Sequence, residues 1–211
     1  MTFKKINEIL KEYEEDLHFF FKILENHKKF LLNKVEDDPL KYLKWDKKNI
    51  NFHCFVTSSY IDLLCIYRNL KRSKTNWEKT YNLKLAYLMI YETIKTYHKF
   101  KKEIIESLAI TDKEIYNGFF RMLNEELLEF KLDFNYDMVI SKIRNKTSAH
   151  YDKDFLEYYS SFEILNNQDS KNIIIRFFRF MNPLHYFSYS LIKGDVDPLL
   201  FVDSWMDSIK Y

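Results

Sequence analysis

The sequence predicts an all-α protein, a bundle of about seven helices, and three observations carry that expectation. Apolar residues recur at three- and four-residue spacing through nearly every segment, the period of a helix face. Only two Gly and three Pro occur in 211 residues, too little punctuation for a β-rich or loop-rich fold. The chain is 46% hydrophobic and 18% aromatic, enough to bury a sizeable core in one domain or in one domain with an added subdomain.

The elements come in this order. Residues 2–34 predict one long helix, with Phe3, Ile6, Ile9, Leu10, Tyr13, Leu17, Phe20, Leu24, His27 and Leu31 on helical spacing. Glu and Asp gather in its first half and Lys in its last turn, as the helix dipole favours. Glu36-Asp37-Asp38-Pro39 ends it, since the residue before Pro disfavours helix. Residues 39–50 predict a polar connection containing Trp45. A second helix spans 51–72 and closes on the basic corner Lys71-Arg72-Ser73-Lys74. A third spans 76–107, with one stripe of Tyr81, Leu85 and Leu88 and another of Leu83, Tyr87, Ile90, Ile94 and Tyr97. A helix apolar on two stripes is expected to lie deep. Glu92 follows the first stripe, as a paired core carboxylate or as a support for an active-site Arg. The short link between the second and third helices predicts a long antiparallel pair.

Thr111-Asp112-Lys113-Glu114 has a capping-box pattern and opens a helix to about Lys131. Leu132-Asp133-Phe134-Asn135 breaks it, and a helix starts again at Asp137. Further helix is expected from Ser148 to about Leu165, then a turn at 166–170. The run Ile173-Ile174-Ile175-Arg176-Phe177-Phe178 has strand propensity. Helix is preferred because apolar content continues through Tyr186, Tyr189 and Leu191-Ile192 to Lys193-Gly194, a C-cap pair. Pro183 should kink or split that helix. Pro198 opens a last one with Leu200, Trp205 and Ile209.

Composition excludes several classes of function. With so few Gly, no Gly-rich phosphate loop of the Walker or dinucleotide type is possible. The formal net charge is only +2, so any nucleic-acid contact must be a local patch. Cys54 and Cys65 are too few and too far apart for a zinc site and fit a reducing cytoplasm. His18, His27, His53, His98 and His185 show no ligand spacing among themselves, so no metal and no cofactor is assigned. The N-terminus lacks an apolar signal core, and no apolar run approaches the roughly 18 residues of a membrane span.

The segment Ile143-Arg144-Asn145-Lys146-Thr147-Ser148-Ala149-His150-Tyr151-Asp152 carries the chemistry. Arg144 is permanently cationic and can grip a phosphate through two parallel hydrogen bonds. His150 can move a proton near neutral pH, and Asn145 can orient either group. Charge stabilisation and proton shuttling together suit phosphodiester transfer. Arg179 and His185 have the same spacing, but Pro183 lies between them and Phe180 follows the Arg, so that pair is set aside. Lys142 and Lys146 flank the motif as candidate phosphate contacts, or as a solvated face.

The segment resembles the Arg-x4–6-His signature of HEPN domains, small helical proteins that include many bacterial RNA-cleaving toxins and defence nucleases. Asn145 directly after Arg144 and the five intervening residues fit that signature. The resemblance implies a single HEPN-like domain over residues 1–211, its core about 51–165, with helical additions at 1–50 and 166–211. It implies a metal-independent endoribonuclease acting through Arg144, Asn145 and His150. It also implies a homodimer, with an antitoxin or regulatory partner possible, while the lack of a long apolar run leaves no membrane partner expected. Some HEPN toxins carry a Tyr two residues after the His; here Asp152 holds that position and Tyr151 precedes it.

On an ideal helix, six positions turn the chain by about 600°, leaving Arg144 and His150 roughly 120° apart. Either the helix breaks at Thr147-Ser148 or two chains build one cleft. Requiring the 2′-hydroxyl as nucleophile makes RNA the substrate. Two other readings stay open: a non-catalytic HEPN-like module that binds RNA or a partner, and a helical interaction protein with no reactive site.

Overall fold

Side chains at the helix starts explain where the elements begin. Thr2 accepts the Lys5 N–H at 3.3 Å and opens α1, Phe3–Leu31. Asp46 accepts the Lys48 N–H at 2.8 Å, so α2, Lys47–Arg72, starts four residues earlier than the apolar spacing suggested. Before α3, Asn76–Thr111, a full capping box forms. Glu78 N–H donates to Thr75 Oγ1 at 3.1 Å, and Thr75 N–H donates back to Glu78 Oε2 at 2.9 Å. The backbone N–H groups of Thr75 and Lys74, both donating to the Glu78 carboxylate, hold it below its ordinary range. This box stands one helix earlier than the one sought at 111–114, where Asp112 and Lys113 lie outside the described residues.

The computed structural model describes residues 1–32, 45–111, 114–144 and 170–194, together with 156, 159, 160, 163 and 165. After α3 come α4, Glu114–Asp133, a π-helical turn, Tyr136–Ile140, the short α5, Ser141–Ile143, and α6, Ser170–Lys193. No strand occurs among the described residues, and 173–178 is helix. Pro183 lies inside α6 without dividing it. Gly194, at φ +72°, ends α6 with its N–H on the Ser190 carbonyl at 2.9 Å, the C-cap expected of it. The helix expected to open at Pro198, and most of that expected over 148–165, fall outside the described residues. No described helix is long and apolar enough to cross a membrane.

The chain divides into two compact units: residues 1–61, 100–121 and 182–211, and residues 62–99 and 122–181. It passes from one to the other inside α2, α3, α4 and α6. In the first unit, Phe20, Ile23, Ile50 and Ile192 form a buried cluster flanked by Leu24, Trp45, Cys54 and Tyr189. Contacts there run Lys48 to Glu106, Asn49 to Ser107 and Phe55 to Phe100. As α2 advances α3 recedes, so the pair is antiparallel, as its short link predicted. In the second unit, Phe130 packs on Phe177, and Phe177 and Tyr97 both pack on Phe180. Arg176 joins α6 to α4 through Asp133 at 3.0 Å and Glu126 at 3.5 Å.

Candidate functional site

The π-helical turn sets the position of Arg144. Asn135 sits in the left-handed region at φ 46°, which Asn tolerates better than most side chains. The chain then winds with one extra residue, and the Ser141 N–H reaches the Tyr136 carbonyl. Arg144 follows α5 directly. Its Nε and Nη2 both donate to Glu92 Oε1, at 3.2 and 2.9 Å. The Arg144 side chain is 28% exposed and Glu92 38%. Glu92 is therefore paired, but at a half-open position rather than in the core.

A column of rings backs this pair in the second unit. The Arg144 guanidinium lies 5.2 Å from the Tyr91 ring centre. Tyr91 stacks on Tyr136 at 5.8 Å, with the planes 7° apart. Lys131 Nζ lies 5.0 Å over Tyr136 and donates to His98 Nε2 at 2.9 Å. Burial lowers the Lys131 pKa, against the opposing pull of Asp137. Burial, with Tyr91, Asp137 and Glu92 nearby, raises that of Tyr136. Lys142 is exposed on α5. Asn145, Lys146 and His150 lie outside the described residues, so the structure brings Arg144 to Glu92 and Tyr91 and does not bear on the rest of the motif.

A second polar cluster lies in the first unit. His53, fully buried, meets Asp16 Oδ2 with Nε2 at 2.7 Å and Ser188 Oγ with Nδ1 at 2.8 Å. The Ser188 hydroxyl donates its proton to the His185 carbonyl at 2.7 Å. Ser188 therefore accepts at Nδ1, and His53 Nδ1 carries the hydrogen. Nε2 then faces the Asp16 carboxylate. His185 Nε2 lies 3.1 Å from Thr57 Oγ1, and its ring stacks on Tyr13 at 4.2 Å. Burial, and secondarily His53, depress the His185 pKa well below its ordinary value.

This is not a Ser-His-Asp nucleophile. Such a triad orients its His through Nδ1 on the carboxylate and takes the Ser proton at Nε2. Here the two nitrogens are exchanged, Ser188 is fully buried, and its proton is committed to a carbonyl. The cluster escaped the sequence because its members are 37 and 132 positions apart along the chain. The local signals were Thr57, four residues after His53, and Ser188, three after His185, each on the same helix face as its partner.

Beside it, Leu17, Phe21, Leu24, Cys54 and Phe55 line an open apolar groove of about 500 Å³. Burial, with Asp16 nearby, pushes the Cys54 thiol up to about 11, so it is no thiolate nucleophile at neutral pH. Comparison with protein-family models, with curated proteins and with solved structures gives no match.

Proposed function

We propose that the chain is a metal-independent endoribonuclease of the bacterial toxin or antiviral-defence type, HEPN-like in fold and acting in the cytoplasm. The observation behind this reading is the setting of Arg144. A two-point carboxylate contact and an aromatic face fix a partly open guanidinium immediately before Asn145 and six positions before His150. Fixed orientation is what a transition-state charge partner needs. A π-helical turn just upstream is also in keeping, since such turns recur at functional sites.

In this reaction the 2′-oxygen of RNA bonds to the adjacent phosphorus and the bond to the 5′-oxygen breaks. His150 takes the 2′-hydroxyl proton or supplies one to the leaving 5′-oxygen. Arg144 stabilises the added charge on phosphorus, and Asn145 holds the phosphate or the imidazole. Lys142 and Lys146 attract the backbone. The products are a 2′,3′-cyclic phosphate and a 5′-hydroxyl. Two copies form the cleft, and an antitoxin or regulatory partner could restrain it.

Incubation of the purified protein with total RNA tests this. Cleavage is expected with and without EDTA, and Arg144→Ala and His150→Ala should each lower its rate by about 10²–10⁴. EDTA-sensitive cleavage, or full activity in His150→Ala, would overturn it. One observation favours a binding module instead: Glu92 already balances the Arg144 charge. RNA retention by gel shift without cleavage would favour that second reading.

A further inference from the structure

We propose that Asp16, His53 and His185 form a binding site for one divalent transition-metal ion of the zinc type. One carboxylate oxygen and two imidazole nitrogens converge with all three ligand atoms within 4.8 Å of one another. Two His and one carboxylate are a donor set that zinc accepts with a position left open, and imidazole suits first-row ions in general. All three residues belong to the first unit. The site stands apart from the RNA-cleaving reaction, in which the ion has no part.

The hydrogen-bond pattern around His53 is that of a ligand. Metal-bound His residues donate their second ring N–H to an acceptor, which fixes ring orientation. Ser188 is that acceptor, held in turn by its own bond to the His185 carbonyl. Ser188 thus orients one ligand while anchored to the backbone of another. His53 Nε2 faces Asp16 Oδ2, and an ion bound to both would sit beside the line that joins them once the two ligands part. Thr57 Oγ1, 3.4 Å from His53 Nε2 and 3.1 Å from His185 Nε2, is placed to hydrogen-bond a water on the open position.

The surroundings suit such an ion. Tyr13 stacks on His185 at 4.2 Å and Phe20 meets the His53 ring edge-on at 5.0 Å. Those rings exclude bulk water on two sides. The Asp16 side chain is 26% exposed and marks the route of entry. With bonds of about 2.1 Å, tetrahedral donors sit about 3.4 Å apart. Asp16 and His53 must open from 2.7 Å, and the widest pair must close from at most 4.8 Å. Rotation of the Asp16 carboxylate about its own side-chain bonds would open the first of these distances.

The test uses the full chain, stripped with chelator and titrated with Co²⁺ in place of Zn²⁺, followed by visible absorption. Saturation at one ion per chain is expected, with bands of a four-coordinate nitrogen–oxygen site, and Zn²⁺ should displace them. Asp16→Asn keeps the side-chain volume and should weaken binding by at least about tenfold, the loss that follows removal of even an outer partner of a ligand. Ser188→Ala should weaken it by about 10–100-fold with unchanged helical circular dichroism. His18→Ala, at the neighbouring groove, should leave binding unchanged. Absence of saturable Co²⁺ uptake in the unmodified chain would overturn the proposal, and so would an Asp16→Asn variant that binds as tightly. RNA cleavage in the same samples should not change with Zn²⁺ or EDTA, so the two ideas fail separately.

Discussion

Arg144 makes a contact that Lys could not copy. Its Nε and Nη2 form a fork on one Glu92 oxygen, whereas an ammonium is a point charge without that planar geometry. Arg144→Lys should therefore lose nearly as much cleavage as Arg144→Ala. Glu92→Gln, which keeps an acceptor but removes the charge, should cost about 10²-fold or less, the scale of a modest misplacement. A Lys variant that cleaves at the wild-type rate would show that orientation of the guanidinium is irrelevant.

His185 supplies a stability prediction with a definite sign. Its folded-state pKa is depressed well below 6.5 by burial, then by His53. Above pH 6.5 both the folded and unfolded rings are neutral. Below it the unfolded chain takes up a proton that the folded one refuses, so stability falls with falling pH. Melting temperatures of the chelator-stripped chain compared from about pH 7.5 to about pH 5.5, where His titrates, should show wild type losing stability faster than His185→Gln. Parallel curves would contradict the burial argument. What the sequence revealed at this scale was local: Arg144 stands in a contiguous motif and Glu92 on a helical stripe. Asp16, His53 and His185 are joined only by tertiary packing, which no spacing records.

At the scale of elements, apolar spacing located the helices, and side-chain caps decided their ends. Asp46 starts α2 early, and Thr75 with Glu78 sets the start of α3. The run at 173–178 is helix because its apolar face continues into a longer element, which strand propensity does not weigh. The π-helical turn had no sequence signal, since it is one extra residue in an otherwise ordinary helix. Its Met138 is 70% exposed and can be deleted at little cost in packing. Deletion should convert the turn to α-helix and leave the chain beyond it nearly in phase, because the wider turn is what absorbs the extra residue, so Arg144 should stay on Glu92. RNA cleavage and helical circular dichroism should both persist. Cleavage reduced to the Arg144→Ala level would mean that the wider turn itself places the guanidinium.

For the whole molecule, the fold class was legible because Gly and Pro are scarce and periodicity is uniform. The number of chains at work was not, because the roughly 120° between Arg144 and His150 on a helix admits both a break and a partner. A homodimer is expected, and light scattering at micromolar concentration should return twice the 26.0 kDa chain mass. A monomer that cleaves RNA fully would leave the helix break as the explanation.

The four passages between the compact units have a consequence for inheritance. Each falls within a helix, so neither unit is an unbroken stretch of chain. A gene fragment encoding residues 62–99 would begin partway through α2 and end partway through α3. Recombination at any of the four divisions would cut a helix rather than a linker, so neither unit could be passed to another protein intact.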